Sequence, residues 1–373
     1  MRRAGRIAGA GRTAPAPRGT EQIAGIQVLR GLAALSVAFL HIEQAAGAFV
    51  GRPGESPFPW LRALPWEAGV DMFFVISGFV MVYASAALFR RSGAVRDFLA
   101  RRVSRVVPLY WLFTTLTLAV AVLAPRLLND PVSGGWPMAV ASYLFIPWQR
   151  HDGFVQPLFR LGWTLNYEML FYLLFAPFLL LPRRAGTAGI VLTMAALVAA
   201  GQVLRPANVQ LAFWTDPIVA EFAFGVLLGT ARLEGVRLPL IVRAALVIAG
   251  VAALAAGGVD DTARRALSYG LPAALLVAGV SLGPGSAGGS AATRAALLVG
   301  DASYALYLIH PFPMRGLREV WSRLGLAGGT VGIVTYILAS VLLSCVLAIW
   351  THQRIELPLV HRARRVLQAR VSV

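Results

Sequence analysis

Arg30 and His41 lie eleven residues apart in IQVLRGLAALSVAFLHIEQAAGAFV, residues 26–50, a stretch that is otherwise almost wholly apolar. Eleven helical residues rise about 16 Å, and eleven steps of about 100° make three turns plus roughly 20°. Both side chains therefore occupy one helix face at two depths. A guanidinium group can hold an anion, and an imidazole can move a proton. Two plainer interpretations stay open: Arg30 can be an orientation-setting helix-end arginine, and His41 a buried structural histidine.

A carboxylate also lies within an apolar stretch, because RLGWTLNYEMLFYLLF contains Glu168. Counted from the expected outer ends of their helices, Glu168 lies about 12 Å deep and His41 about 13 Å deep. A carboxylate can hold an imidazole tautomer or share its proton, as a general base requires. We therefore predict that Glu168 and His41 act together in catalysis. The alternative is a glutamate paired with an arginine for packing alone.

Other polar residues are weaker candidates. Asp71, in WEAGVDMFFVISGFVM, lies at an expected outer helix end, where it can cap the helix, lie among headgroups or belong to a site. His310 and Pro311 close the stretch DASYALYLIHPF near the expected outer surface, where a lone histidine is more often interfacial than catalytic. Arg102 and Arg105, in RDFLARRVSR, are either an orientation signal or a phosphate site, because guanidinium groups bind phosphate oxygens in pairs.

The composition indicates that these residues are held by membrane helices. Of the 373 residues, 57% are hydrophobic and only 14% are charged, and the mean hydropathy is +0.68. A soluble protein of this length does not need so much apolar surface. The predicted fold class is therefore an all-α integral membrane protein in contact with the lipid bilayer.

About 20 apolar residues are needed to cross a bilayer. Ten stretches qualify, so we predict a bundle of about ten transmembrane helices. They are 28–50, 69–89, 105–124, 160–181, 187–204, 215–231, 239–256, 265–283, 295–313 and 329–351. The shorter stretch 136–148 is predicted to be interfacial or re-entrant. Residues 1–24 are predicted to be a disordered cytoplasmic tail, 25–356 the membrane domain and 357–373 a basic cytoplasmic tail.

The positive charge indicates orientation. The net charge is +17, all 34 basic residues are arginines, and 23 of them fall on one side if the N-terminus is cytoplasmic. Because arginines flank cytoplasmic helix ends, this bias predicts that both termini are cytoplasmic. Arginines in these positions do not favour nucleic-acid binding, and the sequence contains no motif typical of a metal site.

Five pieces of the sequence, in order, resemble the membrane-bound acyltransferase-3 family. They are LRGLAALSVAFLH, GVDMFFVISGF, FLARRVSRVVPLYW, GWTLNYEMLFY and SYALYLIHP, and the resemblance covers roughly residues 25–356. Further pieces, IQVLRGLAALSV, PLYWLFTTL and LFIPW before GWTLNYEM, resemble the branch that acetylates succinoglycan-type exopolysaccharides.

The resemblance implies transfer of an acyl group, usually acetyl from acetyl-CoA, to a sugar hydroxyl of an exported glycan or a lipid-linked sugar at a bacterial-type plasma membrane. It implies that Arg30 and His41 are the family's essential pair, that Arg102 and Arg105 are its cytoplasmic arginine pair, and that Glu168 is its membrane carboxylate. No metal is expected. In this interpretation the arginines hold the phosphates of the acyl-CoA donor, and His41 meets its thioester.

Two other functional classes stay open. A transporter or flippase of a lipid-linked sugar would also contain polar residues within its membrane helices, although no inverted repeat with broken helices at matching positions is visible. In a membrane scaffold, Arg30 and His41 would serve helix packing alone. Consumption of acetyl-CoA that depends on His41 would distinguish an enzyme from both.

We expect reporters fused after residue 12 and at residue 373 to be cytoplasmic, and a reporter near residue 130 to be extracytoplasmic, because arginines accumulate on the cytoplasmic side. Paired alkaline phosphatase and fluorescent-protein fusions measure this. Termini on opposite sides would show that one of the predicted spans is wrong.

Overall fold

The computed structural model describes residues 23–123, 134–257, 264–284 and 290–369, without the side chains of 62, 63 and 369. This part of the chain is predominantly helical, and it contains no β-strand beyond an isolated bridge between Gln149 and Val155. The all-α prediction is confirmed. Residues 1–22 and the region near residue 130, which carry most of the predicted N-terminal tail and the loop reporter, lie outside the described residues.

Fifteen α-helices are described. They are α1 Ala24–Ala46, α2 Ala68–Ala84, α3 Ala94–Leu123, α4 Gly135–Tyr143, α5 Trp163–Phe178, α6 Arg183–Leu204, α7 Val209–Trp214, α8 Ala220–Leu233, α9 Leu240–Ala256, α10 Leu271–Ser281, α11 Ala291–Asp301, α12 Ser303–Ile309, α13 Pro311–Arg323, α14 Gly329–Thr351 and α15 Leu357–Ala369. Two π-helical turns, Ala266–Gly270 and His352–Glu356, precede α10 and join α14 to α15.

The centre of the bundle is α2, which is apolar on all sides, as expected of a helix surrounded by protein. It makes its most extensive contact with α8. A Cβ atom on Gly78 would lie 2.1 Å from the Phe222 carbonyl oxygen, and one on Gly225 would lie 2.0 Å from that of Val75. Glycines at these positions let the two backbones touch, which is how membrane helices gain dispersion contacts.

Five helical segments are long and apolar enough to cross a membrane. They are Ala24–Val50, Ala94–Leu123, Arg183–Leu204, Val209–Leu233 and Gly329–Gln368. Three apolar helices are shorter, namely Ala68–Ala84, Leu240–Ala256 and Ala266–Ser281. The predicted total of about ten spans and the cytoplasmic position of both termini stay predictions.

Two predicted stretches have a different internal structure from a single span. The short stretch 136–148 contains the nine-residue helix α4, which at about 1.5 Å per residue is too short to cross a bilayer. The predicted span 295–313 is not one helix but parts of α11, α12 and α13, with breaks at Ala302 and His310. Pro311 begins α13, because its fixed φ angle and missing N–H suit a first helical position.

Candidate active site

A half-open cavity of about 350 Å³ lies among α1, α2, α3, α5 and α12. Helix α2 contributes a largely apolar wall. The polar side chains around it are Gln27, Arg30, Ser77, Arg102, Arg105, Thr164, Glu168, Tyr172, Tyr304 and Tyr307. Four of the predicted site residues, the three arginines and Glu168, are therefore brought to one cavity. Its size is in the range typical of small-molecule sites.

The three arginines of the cavity make few polar contacts. Arg30 donates a hydrogen bond of 3.0 Å to the Gln27 side-chain oxygen, and Gln27 in turn donates to Asp301. The Arg102 guanidinium carbon lies 5.6 Å from the centre of the Phe98 ring. Among the described residues, none of the three guanidinium groups forms an ion pair with a carboxylate. Most of their hydrogen-bonding capacity therefore remains for an anion in the cavity.

Glu168 is part of the arginine cavity and is not hydrogen-bonded to His41, so the predicted pairing is wrong. Its carboxylate accepts a 3.0 Å hydrogen bond from the Ser77 hydroxyl and another from Tyr172, one turn along α5. It also acts electrostatically on Arg30. The prediction compared depths alone, whereas α1 packs mainly against α2, α11, α12 and α14, and α5 packs mainly against α2, α3 and α6.

His41 contacts a second histidine. Its Nδ1 lies 3.1 Å from Nε2 of His310, and the two rings stack with centroids 5.2 Å apart and planes inclined by 15°. His310 is fully buried, so its expected interfacial position is wrong. The helix break before Pro311 places His310 between α12 and α13, both of which pack against α1.

The histidine pair lies next to one end of the cavity, although neither imidazole is part of its wall. Tyr307 does line the cavity, and its ring centre is 6.4 Å from that of His310. The Tyr307 hydroxyl lies 3.0 Å from the Thr164 hydroxyl and donates a 3.0 Å hydrogen bond to the Leu161 carbonyl. Tyr307 thus connects the cavity wall to the histidine pair. This arrangement gives the cavity a cationic end at Arg30 and an imidazole end at Tyr307.

Asp71 is fully buried, so neither the helix cap nor the headgroup position expected for it is correct. Arg265 donates hydrogen bonds of 3.0 Å and 2.8 Å to its two carboxylate oxygens. Glu221, at the beginning of α8, is also fully buried and lies beside this pair. The bidentate ion pair joins α2 to the π-helical turn before α10 and does not line the cavity. Asp71 therefore has a position suited to holding the bundle together.

Several polar residues of the site were not predicted from the sequence. Tyr172, Tyr304 and Ser77 look like ordinary apolar-helix residues until the helices pack. Glu356, only 1% exposed, accepts a 2.8 Å hydrogen bond from His352 across the π-helical turn and acts electrostatically on Arg30. A lone carboxylate directly after a long apolar stretch, in THQRIELPLV, was the available signal.

Within the described part of the chain, no group of three or more histidine, cysteine, aspartate or glutamate side chains is arranged to hold a metal ion. The guanidinium groups of the cavity can bind an anion, and the imidazole pair beside the cavity can transfer a proton.

Comparison with known proteins identifies the family. The family model for the acyltransferase domain matches residues 23–349. The chain belongs to this acyltransferase-3 family. It is therefore an acyltransferase acting on groups other than amino-acyl groups. No solved structure matches the chain.

Two curated relatives of this acyltransferase have descriptive names. The exopolysaccharide production protein ExoZ of Rhizobium meliloti (strain 1021) is 37% identical over 300 residues, which cover 80% of this chain and 90% of ExoZ. The putative peptidoglycan O-acetyltransferase YrhL of Bacillus subtilis (strain 168) is 25% identical over an alignment of 384 positions. The alignment covers 94% of this chain and 57% of YrhL.

We expect Arg265→Gln to lower the thermal unfolding midpoint of the detergent-solubilised acyltransferase, because it leaves the Asp71 carboxylate buried without its cation. Breaking one partner of a buried ion pair costs about 3–5 kcal/mol. Differential scanning fluorimetry measures the midpoint. Arg323→Gln is the control, since its ion pair with Glu319 is exposed and worth at most about 1 kcal/mol. Adding Asp71→Asn should restore part of the loss, and equal midpoints for Arg265→Gln and Arg323→Gln would contradict the assignment.

Proposed function

We propose that this acyltransferase moves an acetyl group from acetyl-CoA to a sugar hydroxyl of an exported or cell-surface polysaccharide, or of its lipid-linked precursor. The observation that carries the proposal is a cavity with three arginines at one end, which form no ion pair with any described carboxylate, and a histidine pair beside the other end. Such a cavity suits a donor that has phosphates at one end and a thioester at the other.

The cationic end of the cavity supports an acyl-CoA donor. Arg30, Arg102 and Arg105 carry three positive charges, and Glu168 supplies one negative charge within the same wall. A phosphate or diphosphate group would balance the excess positive charge. Its oxygens would accept hydrogen bonds from pairs of guanidinium N–H groups that are otherwise unused. The largely apolar α2 wall would then contact the pantetheine arm, which carries the thioester towards Tyr307 and the histidine pair.

The histidine end supports acyl transfer. His41 would accept the proton of the sugar hydroxyl while the hydroxyl oxygen attacks the thioester carbonyl, and the proton would leave with the CoA thiolate as a thiol. In a two-step route, His41 would itself attack the thioester and carry the acetyl group to the sugar. Both routes need an unprotonated nitrogen on His41 that can approach the cavity. Tyr307, which lines the cavity and contacts His310, is the residue whose movement would bring His41 and the cavity together.

The relatives support a carbohydrate acceptor. ExoZ is named for exopolysaccharide production, and YrhL is named as a putative peptidoglycan O-acetyltransferase. Both names concern polysaccharides outside the cytoplasm, and the acyl acceptor of such polymers is a hydroxyl group. The family match does not favour the alternative of a transporter or flippase.

The proposed setting is the plasma membrane of a bacterium, crossed by multiple helices with both termini in the cytoplasm. Acetyl-CoA is made in the cytoplasm, so the arginine end of the cavity should open to that side. The direction of α1 then places His41 nearer the opposite surface, about 16 Å further along the helix than Arg30. An exported sugar could approach the histidine pair from there.

We expect His41→Ala to lower acetyl transfer from acetyl-CoA by at least about 10²-fold while the protein still accumulates in membranes, since a general base contributes about 10²–10⁴-fold. The measurement is release of CoA thiol by purified protein supplied with polysaccharide from cells that lack this gene, with acetyl incorporation confirmed by mass spectrometry. His361→Ala, a change at an exposed histidine of α15, is the control. Wild-type activity in His41→Ala protein would exclude the role.

We expect Arg105→Gln and Arg30→Gln to raise the KM for acetyl-CoA by roughly ten- to a hundredfold, because a charge-assisted hydrogen bond contributes about 1.5–3 kcal/mol. The lysine variants should be intermediate, since lysine keeps the charge but not the planar fork. Steady-state titration with acetyl-CoA measures this. Arg362→Gln, at an exposed arginine of α15, should leave the KM unchanged. A wild-type KM in both cavity variants would place the donor site elsewhere.

A further inference from the structure

We propose that His310 is a positioning residue that keeps the proton of His41 on Nδ1 and thereby leaves Nε2 of His41 as its basic nitrogen. The tautomer follows from the hydrogen bonds around the two rings. The importance of Nε2 for catalysis rests on the proposed function.

One ring nitrogen of His310 is hydrogen-bonded to a backbone carbonyl, a group that can only accept. Nδ1 of His310 lies 3.1 Å from the carbonyl oxygen of Leu306, one helical turn earlier. A carbonyl oxygen has no proton to give, so Nδ1 of His310 must carry the hydrogen. The same carbonyl also accepts the backbone N–H of His310 at 3.2 Å, which occupies both of its lone pairs. The ring of His310 is thus fixed relative to its own helix.

A neutral imidazole carries one N–H group, so Nε2 of His310 is left as an acceptor. Nδ1 of His41 lies 3.1 Å from this nitrogen, and one of the two atoms must donate. Because Nε2 of His310 has no hydrogen, the donor is Nδ1 of His41. The remaining nitrogen of His41, Nε2, then has a free lone pair. The Leu306 carbonyl thus sets the chain of hydrogen bonds from His310 to His41, and the Val37 carbonyl, one turn before His41 on α1, is a further acceptor beside that ring.

The reverse arrangement would require His310 to be an imidazolium that donates from both nitrogens. His310 is fully buried, and among the described residues no acidic side chain is hydrogen-bonded to either ring. A buried cation without a carboxylate partner is strongly disfavoured. The His41 ring stacks on His310 with centroids 5.2 Å apart, so a charged His310 and a charged His41 would repel each other. The neutral form of His310 is therefore the stable one.

The imidazole ring of His310 is held by hydrogen bonds at both of its nitrogens and by its neighbours. Pro311 ends α12 at this residue, and the Tyr307 ring meets the imidazole edge-on at 6.4 Å. Tyr307 is itself held by Thr164 and the Leu161 carbonyl. A fixed acceptor for Nδ1–H also stabilises the imidazolium that forms when Nε2 of His41 takes a proton. His310 thus acts on His41 as the aspartate does on histidine in serine proteases, but without a charge.

Three substitutions separate proton placement from packing. In His310→Asn the side-chain amide can still donate to the Leu306 carbonyl, but it is too short to reach His41. In His310→Gln the amide oxygen can take the place of Nε2 and accept from His41. His310→Leu fills the space and removes both bonds. We expect the His310→Gln protein to keep its activity within about tenfold of wild type. We expect the His310→Asn and His310→Leu proteins to have a kcat lowered by about 10²–10⁴-fold, with little change in the KM for acetyl-CoA.

A second readout does not depend on activity. The chain has five histidines, so ¹⁵N-histidine labelling of the detergent-solubilised protein gives few signals, and a His41→Gln sample identifies those of His41. We expect the wild-type spectrum to show His41 protonated on Nδ1 and unprotonated on Nε2, and the Asn variant to show a mixture of both tautomers. Unfolding midpoints of all variants show whether the fold is retained.

The outcomes distinguish this proposal from the proposed function. A proton on Nε2 of wild-type His41, or an Asn variant with wild-type kcat, would overturn the role of His310. If the wild-type protein transfers no acetyl group while its spectrum shows the expected tautomer, the proton placement holds and the acetyl-transfer proposal fails.

Discussion

An excess of positive charge inside an apolar bundle is the constraint on which the rest of this structure depends: three arginines line the cavity, and Glu168 is the one carboxylate among its described lining residues. Removing an ion from water costs several kcal/mol unless a partner approaches it. Arg30, Arg102 and Arg105 line a cavity in which the carboxylate of Glu168 is already hydrogen-bonded by Ser77 and Tyr172. The protein holds these arginines by tertiary packing, so their unused hydrogen-bonding capacity is available to an anionic ligand. An acyl donor with phosphates has the matching charge.

The ends of the cavity differ in chemistry because single helices pass from one end to the other. Helix α1 carries Arg30 near its beginning and His41 about 16 Å further along. Helix α5 likewise lines the cavity with Thr164, Glu168 and Tyr172 at successive turns, and α12 lines it with Tyr304 and Tyr307. This separation lets one site bind a strongly charged group and still keep a neutral imidazole pair in an apolar environment, where a nearby phosphate would otherwise favour its protonation.

The bundle that holds this site is itself fixed by close contacts of different kinds. Glycines at the α2–α8 crossing allow backbone contact, and the buried ion pair of Asp71 and Arg265 ties α2 to the segment before α10. His310, at the junction of α12 and α13, is buried against His41 of α1. Each contact involves α2 or α1, and both helices line the cavity. Rigid support of this kind favours a site whose donor and acceptor groups must meet at fixed distances.

Much of the fold could be predicted from the sequence. Long apolar stretches with arginines at their ends predicted an all-α membrane protein, and helical periodicity placed Arg30 and His41 on one helix. The order of five short motifs predicted the acyltransferase-3 family, which the family match confirms. These features are local, because composition, spacing and helix geometry depend on residues near one another in the chain.

The partner of each polar residue was decided only by the tertiary structure. The depths estimated along two helices could not show that, among the main packing partners of α1 and α5, only α2 is shared. For the same reason the sequence did not reveal that His310 contacts His41, that Arg265 neutralises Asp71, or that Glu356 lies near Arg30. The Asp71–Arg265 pair joins residues 194 positions apart in the sequence, and the His41–His310 pair joins residues 269 positions apart. Helix periodicity specifies height and face on one helix, whereas the choice of neighbour depends on side-chain packing across the whole bundle.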